Sequence, residues 1–558
     1  MLPDLLATRK GRLTAFFALY ITEGIPLGFA ATAIATQLRR QGVGPAEIGA
    51  FVASFYLPWA FKWAVGPFID VYRSKRWGHR RGWILFTQVM MVVTLLALIP
   101  IPLPSQLGLF TVILFIHNSF GAMQDVAIDS LAVNTLGEDE RGLANGLMFA
   151  GAGVGQALGG SGVLFLLDWV PFQTTFVFVA LAISLVTGAI VLPMKEAAAQ
   201  ALEVAPGESR WRAAAKEMRS FAVESFRSFI GTRGAFYALF FALLPAGAMS
   251  LGLALQSNLA VEIGMKDDEV GALALWTGLV SSVAMVIGGW LSDKWGRRRT
   301  LAVYMLGMSF PVLYLMWILQ QAGYVMPREP GGAPLPGLIW HFWIANFWYS
   351  VFQGLMYGTR TAIMMDVTNP RVAATQFTAY MAMMNLAIAI AAMWQGVAVE
   401  AWGYPVTLLV DAITGPLCCL LLPAMKREVS FSDSLAQGRA KKMSLVLGVL
   451  CLAWLLYWAN HDVLGKAQPI MGTFFTLVFI GSALFLLAAR EVLGEGAGPW
   501  RSAALWAAPL LLAMHGRYYV DKLAPALQPV AQGLVYVVPL LGGIVLIALS
   551  RRNWAAVS

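Results

Sequence analysis

Charged residues and cysteines are scarce in this sequence. Asp, Glu, Lys and Arg make up 12% of its 558 residues, whereas about 25% is usual in a soluble domain. The three cysteines, Cys418, Cys419 and Cys451, all lie inside apolar runs, so they indicate packing roles and exclude a disulfide framework. The shortage of charge excludes an ordinary soluble globular protein.

Signatures of catalysis and metal binding are also missing from the sequence. No HExxH or GxSxG segment occurs, and the five histidines are scattered along the chain. A membrane enzyme would need a nucleophile, a general base or a metal cluster in one of these patterns. We therefore expect no enzymatic activity, no metal site and no cofactor.

Long apolar runs are what the sequence has in abundance. Hydrophobic residues make up 58% of the chain, and runs of about 20 residues, the length that crosses a bilayer as a helix, recur throughout. The net charge of +9 would suit a nucleic-acid-binding protein, but the basic residues form short clusters between the runs rather than one patch. The sequence predicts an all-α polytopic membrane protein whose partner is the lipid bilayer, not nucleic acid.

The apolar runs fall into groups of six, six and four. The predicted spans are 13–38, 47–69, 82–103, 107–135, 143–166, 171–193, 235–256, 269–292, 300–322, 338–366, 375–399, 405–424, 444–462, 469–489, 502–520 and 529–549. This grouping predicts an N-terminal six-helix bundle at 1–193, a cytoplasmic linker at 194–234, a C-terminal six-helix bundle at 235–425 and additional transmembrane helices at 426–558.

Orientation follows from the distribution of Lys and Arg. Most of the 39 basic residues lie in alternate loops, which places those loops and the N-terminus in the cytoplasm. The main exception is the pair Arg39 and Arg40, which falls in a predicted external loop.

Within the linker, Trp211 and Phe229 lie at helical spacing opposite Arg212, a pattern typical of a basic amphipathic helix on the membrane surface. Binding of a regulatory partner to this helix is the alternative.

Two carboxylates, Asp125 and Asp129, stand inside the fourth apolar run. A charge at that depth costs roughly 2.5–3.5 kcal/mol on insertion scales. Their i,i+4 spacing places them on one helix face, so ionisation of one disfavours ionisation of the other. Such a pair suits a proton carrier. The alternative is that each acid pairs with a neighbouring Lys or Arg and holds helices in register.

A loop pattern occurs twice, after the second span of each six-helix half. The first copy contains Gly66, Asp70, Gly78, Arg80 and Arg81, and the second contains Gly289, Asp293, Gly296, Arg297 and Arg298. The pattern resembles the loop signature of the major facilitator superfamily, although the first copy has a longer gap between its Asp and its second Gly. The resemblance implies two six-helix bundles that alternate access to a central cavity, with these residues acting as gating loops.

The facilitator fold lines its cavity with the first, fourth, seventh and tenth spans, and polar residues there are the site candidates. We expect Glu23, Asp125 and Asp129 to couple protons, with a gating or capping role as the alternative for Asp129. The expected substrate-binding residues are Gln124, Asn118, Lys62, Arg360, Gln353 and Gln256.

Two cations among these candidates require partners. Lys62 lies inside the second span, where an uncompensated ammonium is costly, so a carboxylate partner is expected. Arg360 lies one to two turns from the end of the tenth span. It either holds an anionic substrate through a bidentate bond or extends its side chain to the cytoplasmic surface.

Further motifs are similar to those of the AmpG-type muropeptide permeases. They are Glu23-Gly24-Ile25-Pro26, Lys62, Pro67-x-x-Asp70, Arg80-Arg81-Gly82-Trp83, Gln124-Asp125-x-x-x-Asp129, Glu140-Arg141-Gly142 and Ala374-Thr375-Gln376-Phe377. The resemblance implies proton-driven import of anhydro-muropeptides, which are cell-wall degradation products, across the bacterial inner membrane. We expect the transporter to be a monomer.

Two other interpretations remain open. Similar motifs occur in importers of siderophores and in acetyl-CoA transporters, so another anionic small molecule is the alternative substrate. A non-transporting sensor or scaffold would instead use the linker helix and the additional C-terminal helices. Loop patterns in both halves favour a transporter.

Overall fold

The computed structural model of the chain is built from helices joined by short loops, and no extended β-strand occurs in the residues that it describes. The described residues are 4–71, 77–136, 141–196, 204, 207–368, 373–426, 433–492 and 499–552. The all-helical class predicted from the sequence is confirmed.

Six helices correspond to the first group of predicted spans. They are α1 (Arg9–Arg40), α2 (Pro45–Ala60), α3 (Arg80–Leu98), α4 (Leu107–Thr135), α5 (Arg141–Ala157) and α6 (Phe172–Val186). Helix α1 continues through Pro26 and contains a π-helical segment at Phe29–Ile34, so this proline does not end the helix.

The linker and the second group contain seven helices. They are α7 (Arg210–Gly231), α8 (Arg233–Leu243), α9 (Ala254–Glu262), α10 (Asp267–Trp295), α11 (Arg297–Gln321), α12 (Pro336–Val367) and α13 (Ala373–Thr414). Helix α13 passes through a kink at Gly403, where φ is 81°, so it takes up one predicted span and part of the next. Four more helices follow, namely α14 (Asp433–Ala459), α15 (Gln468–Val492), α16 (Pro499–Ala513) and α17 (Gln528–Ser550).

Among the described residues, 11 helical stretches are long and apolar enough to cross a membrane. The stretch Gln376–Ala424, 49 residues long, covers two predicted spans. Four other predicted spans are outside the 11. They correspond to α2, to the interrupted pair α8 and α9, to α12 and to the short α16.

The chain packs as two compact units. The first comprises Met1–Met218, Phe241–Met364 and Thr378–Leu422, and the second comprises Arg219–Phe240, Met365–Phe377 and Pro423–Ser558. The first unit contains every predicted site residue. The second contains the additional helices α14 to α17, packed around Trp454, Phe475 and Phe479.

In the first unit, α1 and α5 pack through a glycine seam, formed by Gly24 and Gly28 of α1 and by Gly151, Gly155 and Gly159. A Cβ placed on Gly155 would lie 2.8 Å from the backbone nitrogen of Ile25. No side chain fits between helices at that separation, so the seam brings the two backbones into contact. This contact fixes the helix that carries Glu23.

The seventh predicted span is broken rather than continuous. Helix α8 ends at Leu243, the backbone is irregular around Gly247, where φ is 86°, and α9 begins at Ala254. Irregular backbone at membrane depth needs replacement hydrogen bonds. Buried Asp411 supplies them, because its Oδ2 accepts from the backbone nitrogens of Met249 (2.8 Å) and Ser250 (2.9 Å).

Candidate functional site

A cluster of three carboxylates and one ammonium lies between α1, α4 and the segment after α2. Lys62 Nζ is 2.6 Å from Asp125 Oδ2, and the side chains of these two residues are 12% and 3% exposed. The ammonium also lies 5.7 Å from the ring centre of Trp59. The carboxylate partner expected for Lys62 is therefore Asp125.

The other two acids of this cluster, Glu23 and Asp129, are held differently. Tyr20 Oη donates to Asp129 Oδ1 at 2.6 Å. Glu23 carries a buried oxygen, Oε2, that has no hydrogen-bond partner among the described residues. Electrostatic interactions link Glu23 with Asp125, Asp129 and Lys62. With one cation facing three acids, full ionisation would leave the buried cluster with an excess of negative charge, which a bound proton relieves.

A chain of uncharged polar groups joins α1 and α4, the helices that carry the three acids, to neighbouring helices. Gln124 Nε2 donates to Thr22 Oγ1 at 2.9 Å, and Gln88 Nε2 donates to the same hydroxyl at 3.3 Å. Thr187 Oγ1 donates to Gln88 Oε1 at 2.6 Å. Sequence reasoning did not single out Tyr20 or Thr22. Their proximity to Glu23 on α1 is the signal that would have found them.

Asn118 connects α4 to α2. Its amide nitrogen donates to the backbone oxygen of Phe55, and its Oδ1 accepts from Trp59 Nε1 at 3.2 Å. Both ends of this side chain are engaged, and the residue is 1% exposed. In the structure, Asn118 therefore links α4 to α2 through hydrogen bonds at both ends of its side chain.

In the second half, the structure brings Gln256 of α9 to Asn346 of α12, with 2.8 Å between Nε2 and Oδ1. Gln256 also lines a small pocket together with Ser257 and with Thr32 of α1. Gln353 is half-buried one to two turns further along α12.

Arg360 is a buried charge of the first unit whose guanidinium is only partly hydrogen-bonded among the described residues. It is 2% exposed, and its Nε and Nη2 have no hydrogen-bond partner among the described residues. The guanidinium carbon lies 5.9 Å from the ring centre of Phe241. A planar cation with free donors in an apolar environment is a ready site for a carboxylate or a phosphate.

The predicted gating loops differ between the two copies. In the second, Arg297 Nη2 pairs with Asp293 Oδ1 at 3.0 Å, and Gly296 turns the chain with φ at 91°. The close approach between α10 and α12 occurs at Gly288, whereas Gly289 faces open space. Arg298 lies in the first turn of α11.

In the first copy, Gly66 begins a short helix that also contains Asp70, whose side chain lies outside the described residues. Glu196 caps the start of α3, accepting from the backbone nitrogens of Arg80 (2.8 Å) and Arg81 (3.1 Å). Arg81 Nε donates to the carbonyl of Val191 at 2.9 Å.

Comparison with known proteins identifies the family. The profile of the Major Facilitator Superfamily matches residues 13–261 and 237–558. A Rickettsia felis protein named putative transporter AmpG 4 is 25% identical over 321 residues, which is 56% of this chain and 74% of that protein. The anhydromuropeptide permease of Escherichia coli K12 is 22% identical over 431 residues, which is 76% of this chain and 82% of that protein.

Solved structures share the fold. A POT family transporter in complex with a thioalcohol-conjugated peptide aligns with a TM-score of 0.58 at 11% identity, over 74% of this chain and 95% of its own. A D-xylose-proton symporter aligns with a TM-score of 0.56 at 12% identity, over 75% of this chain and 99% of its own. Since the family profile covers most of its length, the chain belongs to the Major Facilitator Superfamily and is a multi-pass membrane transporter.

Proposed function

We propose that this transporter imports anhydro-muropeptides, driven by protons, through alternating access. The observation that carries the proposal is the buried cluster of Glu23, Asp125 and Asp129 around Lys62, the one cation that the described residues place among these acids. The relatives named AmpG and anhydromuropeptide permease support the substrate class.

The cluster acts as the proton site. When it faces the outside, one proton neutralises an acid that Lys62 cannot balance, and the smaller excess of negative charge lowers the cost of the dry environment in the closed intermediate. When it faces the cytoplasm, water enters and the proton leaves. Asp125 is bonded to Lys62 in this state, and Glu23 Oε2, which has no hydrogen-bond partner among the described residues, offers a position for the incoming proton.

The substrate site lies in the second half. Arg360 binds a carboxylate of the peptide or sugar-acid portion through its two free donors, and Gln256 and Gln353 supply hydrogen bonds to amides and hydroxyls. In this arrangement the proton binds in the first half of the protein and the substrate binds in the second half. Each then biases the same rearrangement from its own side.

Vesicle uptake tests the proposal. Liposomes that contain the purified protein should accumulate a labelled anhydro-disaccharide peptide when the external solution is acidic. This accumulation should stop when the pH gradient is collapsed. Asp125→Asn should reduce accumulation by at least about tenfold, since it removes the group that pairs with Lys62. The matched control is Asp168→Asn, because Asp168 is exposed at a loop. Normal pH-dependent accumulation by Asp125→Asn would contradict the proton assignment.

Competition separates the substrate classes. An excess of unlabelled anhydro-muropeptide should abolish uptake of the label, while a siderophore or acetyl-CoA in the same excess should leave it intact. Inhibition by a siderophore together with no muropeptide uptake would replace the proposed substrate with the alternative one.

A further inference from the structure

One face of α12 carries a row of polar side chains at intervals of three or four residues. The row consists of Asn346, Tyr349, Gln353, Tyr357 and Arg360. Residues at this spacing lie above one another on the same side of an α-helix. At a rise of 1.5 Å per residue, the row is about 21 Å long.

Hydrogen bonding divides this row into two parts. Asn346 and Tyr349, at one end, are bonded to α9 and to the segment before it, with Tyr349 Oη donating to the backbone oxygen of Ala248 at 3.0 Å. Further along, Gln353 and Tyr357 are half-buried, and their side chains make no hydrogen bond to the described residues. The first part holds helices together, whereas the second part leaves donors available to a ligand.

The donors of Arg360 indicate the chemistry of that ligand. Its Nε and Nη2, which have no hydrogen-bond partner among the described residues, lie on the same edge of the planar guanidinium. A carboxylate binds such an edge through two parallel hydrogen bonds. Tyr357 lies one turn earlier on the same face and interacts electrostatically with the guanidinium. Its hydroxyl can donate a further hydrogen bond to the same anion.

Tyr56 of α2 approaches this region from the first half. It packs against the cluster that contains Met249, in the segment between α8 and α9, and it interacts electrostatically with Tyr357. Gln353 contacts the same segment, because a Cβ placed on Gly252 would lie 2.6 Å from Gln353 Nε2. One phenol from each half therefore lies in the part of the protein that holds Arg360.

The position of Tyr56 in the chain also brings it close to the proton site. Trp59 follows one turn later, and its Nε1 donates to Asn118 Oδ1 at 3.2 Å. The ring of Trp59 lies 5.7 Å from the ammonium of Lys62, which pairs with Asp125. The short stretch 56–62 thus reaches the region of Arg360 at one end and the acidic cluster at the other.

We propose that Tyr357 and Tyr56 are specificity-determining residues, which bind one substrate carboxylate together with the Nε and Nη2 edge of Arg360. Tyr357 donates from the helix that carries Arg360, and Tyr56 donates from the first half, so one anionic group contacts both halves. All of these groups are donors, so the site selects an acceptor and rejects a carboxamide, which would place its own N–H groups against them. The inference rests on the proposed function for the substrate and adds the group that is recognised.

Paired ligands test this selection. An anhydro-disaccharide peptide is prepared with its carboxylates free and with all of them converted to carboxamides, and calorimetry measures both affinities. The parent protein should prefer the acid at least tenfold. Tyr357→Phe and Tyr56→Phe should each lower this preference at least threefold without changing the affinity for the carboxamide form, which a merely structural defect would also weaken.

The matched control is Tyr304→Phe in α11. It removes a buried hydroxyl that has no hydrogen-bond partner among the described residues, and the preference of the parent should be retained. An unchanged preference in Tyr357→Phe or in Tyr56→Phe would overturn the proposal.

A second measurement needs no muropeptide. The three native cysteines are replaced by serine, and Gln353→Cys is introduced on the polar face. The rate of modification by a methanethiosulfonate that bears a sulfonate is divided by the rate for one that bears a trimethylammonium group. This ratio should fall at least tenfold in Arg360→Gln and at least threefold in each tyrosine variant.

The two measurements separate the failures. A ratio that does not depend on Arg360 or on the two tyrosines would overturn the anion site. A ratio that does depend on them, together with no binding of either muropeptide form, would refute the proposed substrate and leave the anion site in place.

Discussion

Buried charged residues of this transporter are of two kinds. Glu262 and Asp411 have hydrogen-bond partners for both carboxylate oxygens, so they hold structure together. Glu23 and Arg360 retain buried polar atoms without a partner among the described residues. An unpaired polar group costs about 1–3 kcal/mol when buried, so each such group needs an explanation. For Glu23 and Arg360 the proposed function supplies one, a proton and a substrate carboxylate.

The first prediction concerns Lys62. Replacing it by Gln leaves Asp125 as a buried carboxylate without a counter-charge, which should lower the free energy of unfolding by about 3–5 kcal/mol. Thermal unfolding in detergent measures the change. The double variant Lys62→Gln with Asp125→Asn should recover most of the stability, yet it should not recover proton-driven uptake. A Lys62→Gln protein as stable as the parent would show that the ion pair is not formed.

Arg360 gives the opposite expectation for stability. Arg360→Met removes a buried charge that has no acidic partner among the described residues, and should raise the free energy of unfolding by about 1–4 kcal/mol. Substrate binding should be lost in the same variant. Calorimetry of binding and thermal unfolding check the two effects.

A matched control is Arg517→Met in the second unit. Arg517 is also buried, but its guanidinium donates to Met514 O, Gly472 O and the hydroxyls of Thr476 and Tyr518. This variant should be destabilised by at least about 1–3 kcal/mol, since the partners lose their donor. If both variants were destabilised equally, Arg360 would be a structural residue.

At the scale of the helices, the glycines between α1 and α5 set the distance between their backbones. The glycine seam predicts that Gly155→Ala will be destabilised by roughly 1–3 kcal/mol, because its Cβ meets backbone atoms of α1 that cannot move aside. Gly153→Ala, in the same helix, faces open space and should gain up to about 1 kcal/mol from helix propensity. Equal melting temperatures for the two variants would argue against the seam.

The break between α8 and α9 was not predicted from the sequence. Apolar content alone predicts one span over 235–256, because hydropathy does not register a change in backbone direction. Gly247 and Pro245 were visible signals, but the deciding partner, Asp411, lies more than a hundred residues away. A residue that satisfies a distant backbone segment cannot be recognised without the fold.

At the level of the whole molecule, composition predicted a polytopic membrane protein, and the resemblance of the repeated loop pattern to the superfamily signature predicted the family. The repeated loop pattern predicted two related halves, and the expectation that Lys62 has a carboxylate partner is met by Asp125. The predicted external position of Arg39 and Arg40 conflicted with the charge rule, and their ion pairs with Glu262 and Asp267 give the physical reason. Pairings between halves depend on packing, which local patterns do not contain.

The predicted membrane topology supplies a further test. Alkaline phosphatase fused after Gly331 should be active, since that loop is predicted to be external, and the same enzyme fused after Gly296 should be inactive. Green fluorescent protein at the two positions is the control, with the reverse pattern of fluorescence. Active phosphatase at Gly296 would invert the proposed orientation of the transporter.

Ribosomal synthesis separates the two sides of the glycine seam in time. Helix α1 is complete at Arg40, whereas α5 begins at Arg141, about 100 residues later. At 5–20 residues per second, the nascent first span waits roughly 5–20 s for its partner. During that interval the glycine groove of α1 has no α5 backbone to pack against. We therefore expect the insertion machinery to retain α1 until the fifth helix arrives.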